Sequence, residues 1–169
     1  MSRIVLEIKH TWDGKTLPPE EQAMVCYRKE DLNLVVDVNA PFHSDPPPPD
    51  PPGSLCGLWK WEVVELFIAT KNETYTEIQL GPHGHFLVLT LEGERNIISK
   101  GHLIDLRVSH DRNRWVGQAL IPLTLTPPLP WRVNAYAIHG SGVQRRYLAA
   151  EPVPGRQPDY HQLRHFRWV

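Results

Sequence analysis

Alternation of apolar and polar residues with a period of two is the feature of this sequence that most limits its fold. Successive side chains of a β-strand point to opposite faces of a sheet, whereas a helix repeats about every 3.6 residues. In the segments Trp59–Ile68 and Tyr75–Leu80, one face carries Val64, Leu66, Ile68, Ile78 and Leu80, and the other carries Glu65, Phe67, Tyr75, Glu77 and Gln79. The pattern predicts a hairpin with one apolar face and one face that holds two carboxyls, an amide and two rings.

Similar stretches recur along the chain, separated by turn residues such as Asp13-Gly14 and His83-Gly84. We predict ten strands: Ile4–His10, Ala23–Arg28, Leu32–Ala40, Trp61–Thr70, Thr74–Leu80, Phe86–Leu91, Ile104–His110, Trp115–Ile121, Arg132–His139 and Arg145–Ala149. Many short strands joined by tight turns favour an all-β fold, either an antiparallel sandwich or a barrel.

The composition limits the size, partners and location that we expect. A chain of 169 residues is long enough for one core, so we predict a single domain over residues 1–169. With 18 basic and 19 acidic residues, the chain shows no charge pattern for a nucleic-acid or membrane partner. The early charges at Arg3 and Glu7 leave no secretory segment. We therefore expect a soluble, cytoplasmic protein in which Cys26 and Cys56 are reduced.

A proline-rich loop over residues 45–53 contains six of the 17 prolines. Proline has no backbone N–H to donate to a neighbouring strand, so we predict an extended segment outside the sheets. The loop could be a spacer, a stiff wall beside a binding site, or a contact for a protein partner with an aromatic groove.

The polar face of the hairpin is the main candidate for a functional site. Asp37 would join Glu65, Glu77 and Gln79 if Leu32–Ala40 lies in the same sheet. The carboxyls could bind a small sugar-like ligand or hold a structural calcium ion. If they lie about 5–10 Å from each other, they could also act as acid and base on a glycosidic bond. An ordinary solvated sheet face is the fourth interpretation.

Side chains near the hairpin could complete such a site. Trp59 and Trp61 follow the proline-rich loop and could stack on a sugar ring. We predict that a ligand-binding face contains Asp37, Trp59, Trp61, Glu65, Tyr75, Glu77, Gln79, His83, His139 and Arg145. If the protein is an enzyme, Glu65, Glu77 and His83 are the acid–base candidates.

No motif assigns an enzyme class or a cofactor. The chain lacks the nucleophile elbow, the phosphate-binding loop and the dinucleotide fingerprint. His83 and His85 lack the further ligands that a zinc site needs. We therefore predict no cofactor and no metal apart from the calcium ion left open above. Near the carboxyl end, we predict that Leu163 and Phe166 pack a terminal element onto the core.

Six motifs along Ile8–Phe166 together resemble an uncharacterised protein family typified by a human open-reading-frame protein from chromosome four. They are His10–Gly14, Ala40–Phe42, Leu58-Trp59 with Glu62–Glu65, Pro82–Gly84, Ala137–Ser141 and Pro158–His161. This family supplies no catalytic residues.

A more distant resemblance connects the chain to the family 9 carbohydrate-binding modules and their DOMON-like relatives. A tryptophan before Val64–Ile68, followed by Tyr75, Glu77, Pro82 and Gly84, is similar to their motif. The resemblance implies an antiparallel, jelly-roll-like β-sandwich that binds sugars, haem or other small ligands on the concave face of one sheet. We therefore expect non-catalytic binding of a small polar ligand, of which a sugar is one candidate.

Overall fold

Two β-sheets make up the architecture of residues 2–169 in the computed structural model, and no α-helix occurs among these residues. The small sheet has the order β1 (Ile4–Ile8), β3 (Ala23–Glu30), β4 (Asn33–Pro41), β11 (Arg114–Pro122) and β10 (Asp105–Asp111). The large sheet has the order β2 (His10–Thr11), β13 (Arg146–Ala149), β12 (Arg132–His139), β6 (Val63–Ala69), β7 (Thr74–Leu80), β8 (His85–Glu92) and β5 (Gly53–Ser54), with β14 (Arg167–Trp168) beside β12 and β9 (Ile97–Ser99) beside β8. Short 3₁₀ turns span Pro19–Glu21, Leu58–Lys60, Leu123–Leu125, Gly142–Gln144 and Leu163–His165.

The predicted antiparallel β-sandwich is confirmed, since the strand pairs are antiparallel except for the short pair β5–β8. All ten predicted strands are present, and β7 and β12 have the predicted bounds. The first predicted strand is divided at Lys9 into β1 and β2. The strands β5, β9 and β14 were not predicted, because two or three residues are too few to show a period. Across residues 2–169, no helix has the length and hydropathy of a membrane span.

The sandwich core lies between the two sheets and takes one face from each. Its large-sheet side includes Val64, Leu66 and Ile68, as the alternation predicts. The small sheet contributes Leu34, Val36 and Val38 together with the fully buried ring of Trp115. Burial of these side chains removes apolar surface from water, which is the main stabilising contribution to a fold of this kind.

The outer face of the small sheet is polar and open to solvent. In β11, exposed Val116 and Gln118 alternate with buried Trp115 and Ala119. Asp37 lies on this face, where its carboxylate accepts hydrogen bonds from Arg28 and Gln118, each at 2.8 Å. Asp37 is therefore on the far side of the sandwich from Glu65. The two residues lie in different sheets, so the prediction that Asp37 joins Glu65 in one site is wrong.

The outer face of the large sheet is covered by protein. Residues 153–166, which we call the C-terminal cover, lie over this face and bury Leu163 and Phe166 to 4% and 5% exposure. The predicted packing of these two side chains is confirmed, although they contact a second cluster and not the sandwich core. That cluster contains Leu58, Val63, Phe67, Ala69, Tyr75, Leu87, Leu89, Leu91, Tyr136, Ile138, Ala149, Tyr160, Leu163 and Phe166.

The proline-rich loop lies outside the regular strands until Gly53, where β5 begins. Pro48 is buried, and the carbonyl of Asp50 accepts a hydrogen bond from the ring of His85 at 2.8 Å. Gly84 turns with a φ of 90°, and a Cβ there would lie 3.2 Å from Pro52. The loop is therefore held against the turn between β7 and β8.

Candidate functional site

Neighbouring strands bring the two glutamates of the predicted hairpin together. Glu65 of β6 lies opposite Gln79 of β7, and Phe67 lies opposite Glu77. Glu65 and Glu77 are thus diagonal neighbours on one face, a relationship that places Cβ atoms about 7–8 Å apart. The predicted juxtaposition of the two carboxyls is present.

A pocket of about 320 Å³ lies over these carboxyls, between the large sheet and the C-terminal cover. We call it the glutamate pocket. Its polar lining consists of Glu65, Glu77, Arg95 and His161. Its apolar and aromatic lining consists of Trp59, Phe67, Leu89, Leu91, Ile97, Ile138, Tyr147, Pro158 and Tyr160. A mostly apolar cavity with a few convergent polar groups is typical of small-molecule sites.

Of the two carboxyls in this pocket, that of Glu65 has no hydrogen-bond partner in the described part of the protein. Its side chain is 2% exposed, and no hydrogen bond holds its carboxyl within residues 2–169. Burial and the nearby Glu77 raise the pKa of Glu65 well above its usual range, whereas the charge of Arg145 lowers it. The group therefore favours its protonated form in the unliganded pocket.

Glu77 is also buried, but it has protein partners. Its carboxyl accepts a hydrogen bond from the amide of Gln79 at 2.5 Å. Burial raises the pKa of Glu77 to about 7, against the lowering effects of Gln79 and Arg95. Because the pKa of each carboxyl is raised and the charge of Glu77 acts on Glu65, the pair retains at least one proton near neutral pH.

His161 of the C-terminal cover lies beside Glu77, with 3.8 Å between its Nε2 atom and the carboxyl. Its Nδ1 atom is 2.7 Å from the hydroxyl of Tyr75, which accepts a hydrogen bond from the backbone N–H of Arg95. With its oxygen accepting from Arg95, Tyr75 is free to donate its own proton to Nδ1, and this arrangement places the ring proton on Nε2, on the Glu77 side. Burial and the charge of Arg95 lower the pKa of His161 to about 4, so the ring is neutral at pH 7.

Trp59 and Tyr147 line both the glutamate pocket and a second cavity of about 560 Å³, and Arg145 lines only the second one. The indole of Trp59 is 44% exposed. Arg145 donates hydrogen bonds to the carbonyl of Trp59 at 2.5 Å and to that of Gly140 at 3.0 Å. A Cβ at Gly140 would lie 2.5 Å from the carbonyl of Gln144, so this close turn requires glycine. Arg145 therefore positions Trp59.

The structure brings most of the predicted ligand-binding residues to one region. Trp59, Glu65 and Glu77 line the glutamate pocket, and Tyr75 and Gln79 hold its polar groups from behind. Trp61 and Arg145 line the second cavity instead.

Three predicted residues lie elsewhere, and Asp37, on the outer face of the small sheet, is one of them. His83 packs against Phe42 at 5.6 Å, at the turn between β7 and β8. His139 lies two residues after Ala137 in β12, so it is on the same face as Ala137, which faces the sandwich core. Its ring stacks on that of His43, with 3.4 Å between the ring centroids. An odd or even position in a strand sets the face that a side chain joins, so His139 cannot share the face of Glu65.

Several lining residues were absent from the predicted site, namely Phe67, Arg95, Tyr147, Tyr160 and His161. The motif Pro158–His161 was part of the family resemblance, and the terminal element was predicted to pack inward. Together these two signals could have identified Tyr160 and His161. No sequence signal indicates that Arg95 reaches the pocket. Among residues 2–169, no three His, Cys, Asp or Glu side chains lie together in a geometry that could hold a metal ion.

A solved structure shares the fold. A candidate carbohydrate-binding protein from Bacteroides uniformis aligns with a TM-score of 0.75 at 11% identity, over 98% of this chain and 84% of its own. A family 9 carbohydrate-binding module from Caldicellulosiruptor kristjanssonii, solved with cellotriose, aligns over 76% of this chain and 65% of its own, with a TM-score of 0.47 and 12% identity. The first of these structures shows the sandwich fold of the whole described chain.

Sequence relatives agree with the six motifs. No protein-family model matches the chain. The human UPF0462 protein C4orf33 is 38% identical over 170 residues, which cover 95% of this chain and 85% of the relative. The homologues from Rattus norvegicus and Danio rerio are 38% and 37% identical over the same shares. The resemblance found in the sequence is confirmed, and the chain belongs to the UPF0462 family typified by C4orf33.

Proposed function

We propose that the protein binds a small polar ligand of carbohydrate type in the glutamate pocket and leaves it chemically unchanged. The observation that carries the proposal is the unpartnered carboxyl of Glu65, which is 2% exposed and lines the cavity. Burying a polar group without a hydrogen bond costs about 1–3 kcal/mol in proteins. A ligand hydroxyl that donates to Glu65 would remove this cost.

The walls of the glutamate pocket suit a ring-shaped ligand. Trp59 offers a half-exposed indole at the mouth, and Tyr160 and Tyr147 add further rings to the lining. A pyranose has one apolar face that stacks on such rings, while its hydroxyls reach polar groups at the edge. The cavity volume is at the lower end of the range for ligand pockets, about 300–1,000 Å³, so a ligand of one sugar unit fits best. The shared fold with a candidate carbohydrate-binding protein is a reason to test sugars first.

The test is a ligand-detected NMR screen of neutral, amino and acidic monosaccharides against the wild-type protein and two tryptophan variants. We expect Trp59→Ala to weaken binding of a hit about tenfold, since an aromatic contact contributes about 0.5–1.5 kcal/mol in addition to the apolar area that it buries. Trp168→Ala is the matched control, because Trp168 is similarly exposed at 53% but lies on β14 and outside the pocket. The proposal is wrong if no sugar binds, or if both variants weaken a hit equally.

Acid–base catalysis is a second candidate, favoured by one observation. Glu77 has a pKa raised to about 7 and lies 3.8 Å from the neutral ring of His161, so it can hold or release a proton near neutral pH. Aryl glycosides with a chromogenic leaving group test this candidate. Turnover that Glu77→Gln abolishes while binding persists would establish catalysis in place of simple binding. Absence of turnover for a glycoside that binds would exclude it for that substrate.

A further inference from the structure

The glutamate pocket contains two carboxyls but no cationic side chain that hydrogen-bonds to either of them among residues 2–169. Glu65 and Glu77 are 2% and 5% exposed. The guanidinium of Arg95 is paired with Asp159 at 2.5 Å on the solvent side. The only nearby imidazole, that of His161, is neutral at pH 7. The charge of Arg95 acts on Glu77 from the pocket wall, but no cationic group of the described chain hydrogen-bonds to either carboxyl.

Arg145 does not fill this role, although its charge acts on Glu65. Its three donor nitrogens are directed to the carbonyl of Gly140, the carbonyl of Trp59 and the hydroxyl of Tyr147. The remaining neighbours of the carboxyls are uncharged at neutral pH. Tyr136 is opposite Glu65 in β12, and burial raises the pKa of both Tyr136 and Tyr160.

An empty pocket of this kind can avoid two unpaired buried charges only by holding protons. A ligand cation offers a better arrangement, because it pairs with the carboxylates and lets them ionise. The aromatic lining favours the same chemistry. An ammonium group over the face of an indole or a phenol gains about 0.5–2 kcal/mol, and Trp59, Tyr147 and Tyr160 all line the cavity.

We propose that the natural ligand carries a protonated amine, as an amino sugar does, and that this group binds between Glu65 and Glu77. The inference rests on the proposed function, since it requires a ligand in the same pocket, but it specifies the charge of that ligand. The two carboxyls then act as the charge-selecting side of the site, and Trp59 as its stacking side. A purely neutral sugar would leave the carboxyls without a counter-charge.

The proposal has a consequence for protons. Because the free pocket retains at least one proton near neutral pH, an entering ammonium group displaces it. Binding should therefore release up to one proton per ligand at pH 7. The affinity for the amine should also rise as the pH increases from about 5 to about 7.5, where the carboxyls ionise more readily.

Two matched pairs of probes test the proposal: D-glucosamine against D-glucose, and 4-aminocyclohexanol against 1,4-cyclohexanediol. Each pair differs mainly in one amine for one hydroxyl. The isolated alkyl amine of 4-aminocyclohexanol stays protonated through the pH range used. The neighbouring oxygens of glucosamine lower the pKa of its amine, so proton uptake by that ligand is titrated separately and subtracted. Calorimetric titration at pH 7, in two buffers with different ionisation enthalpies, gives both affinity and proton release. We expect each amine to bind at least about tenfold more tightly than its hydroxyl partner and to release a proton.

Variants locate the effect. Glu65→Gln keeps the shape of the side chain and should remove most of the amine preference, so the affinity for each amine should fall much more than the affinity for its hydroxyl partner. Glu94→Gln is the matched control, because it makes the same substitution at an exposed glutamate that does not line the pocket. Proton release by the wild-type protein provides an independent readout if a variant is poorly folded.

The outcomes separate this inference from the proposed function. Equal affinity for amine and hydroxyl probes, with no proton release, overturns the inference and leaves sugar binding intact. Amine binding that Glu94→Gln weakens as much as Glu65→Gln also overturns it. If the aminocyclohexanol binds with the expected preference while no sugar binds, the cationic ligand is supported and the carbohydrate part of the proposed function is wrong. If no probe binds, both are wrong.

Discussion

Glu77 shows how a covering segment changes the chemistry of a single side chain. On an open sheet this glutamate would be an ordinary solvated carboxylate. Its strand, β7, has the alternation of apolar and polar residues that is typical of a sheet with one face in solvent. Beneath the C-terminal cover it is 5% exposed, beside the neutral ring of His161, and its pKa rises to about 7. Burial, and not a unique motif, creates the unusual group.

Stability should depend on pH through this carboxyl. The unfolded chain ionises Glu77 near its usual pKa of 4.5, whereas the folded chain does so near 7. The free energy of unfolding therefore loses a contribution as the pH rises between these values, and the loss is complete above the folded pKa. We expect Glu77→Gln to become more stable relative to wild type across this window, by roughly 1–3 kcal/mol.

Urea denaturation at several pH values between about 4 and 8 measures this difference. His139 and His161 have pKa values lowered to about 4, so they titrate in the opposite sense. They are present in both proteins, and to first order their contribution cancels in the comparison. The same comparison for Glu94→Gln, at an exposed position, controls for the loss of a surface carboxyl. A constant difference for Glu77→Gln as well would contradict the raised pKa.

At the scale of elements, the C-terminal cover converts a sheet surface into a second cluster. Phe166 stacks near Phe67 at 5.9 Å, and Tyr160 stacks on Tyr136 at 3.6 Å. These contacts attach a segment with almost no regular structure to β6 and β12. Aromatic burial of this size is a large part of what holds an irregular segment in place.

Removal of one anchor should therefore loosen the whole cover. We expect Phe166→Ala to lower the free energy of unfolding by about 3–5 kcal/mol, the usual cost of emptying a buried phenylalanine site. Trp168→Ala, two residues further on and 53% exposed, should cost less than about 1 kcal/mol. Thermal and urea unfolding of the two variants measure the contrast. If Phe166→Ala lowered the free energy of unfolding as little as Trp168→Ala does, the cover would contribute little to stability.

The strands and their faces were predictable because a period of two depends only on local geometry. The alternation in β6 and β7 places Glu65 and Glu77 on one face whatever lies above it. It does not say what covers that face, since the cover is about 90 residues away in sequence. The signal was present in β8, where Phe86–Leu91 is apolar at nearly every position, a pattern typical of a strand buried on both faces.

At the scale of the whole molecule, the chain forms layers of unequal protection. The small sheet has one face in solvent, while the middle of the large sheet lies between the sandwich core and the C-terminal cover. All seven residues of β6 are buried, whereas β10, at the edge of the small sheet, is largely exposed. Local opening is therefore easiest at the small-sheet edge.

Hydrogen exchange followed by mass spectrometry should show this order. We expect amides of β6 and β12 to exchange slowest, near the rate set by global unfolding, and amides of β10 to exchange much faster. The comparison of β10 with its neighbour β11 is an internal control, because β11 is paired on both sides. Equal protection of β6 and β10 would contradict the layered arrangement.

The C-terminal cover also determines how binding of a ligand in the glutamate pocket could be observed. The cover supplies Tyr160 and His161 to the pocket wall, so any state in which it detaches has no complete site. Ligand and cover must then stabilise one another, because a ligand that binds only the closed form opposes opening. At 100 times its dissociation constant, a ligand would add about 2.7 kcal/mol to the cost of detachment. The amide exchange of residues 153–166 would thereby report, without any label, how much of the protein holds its ligand.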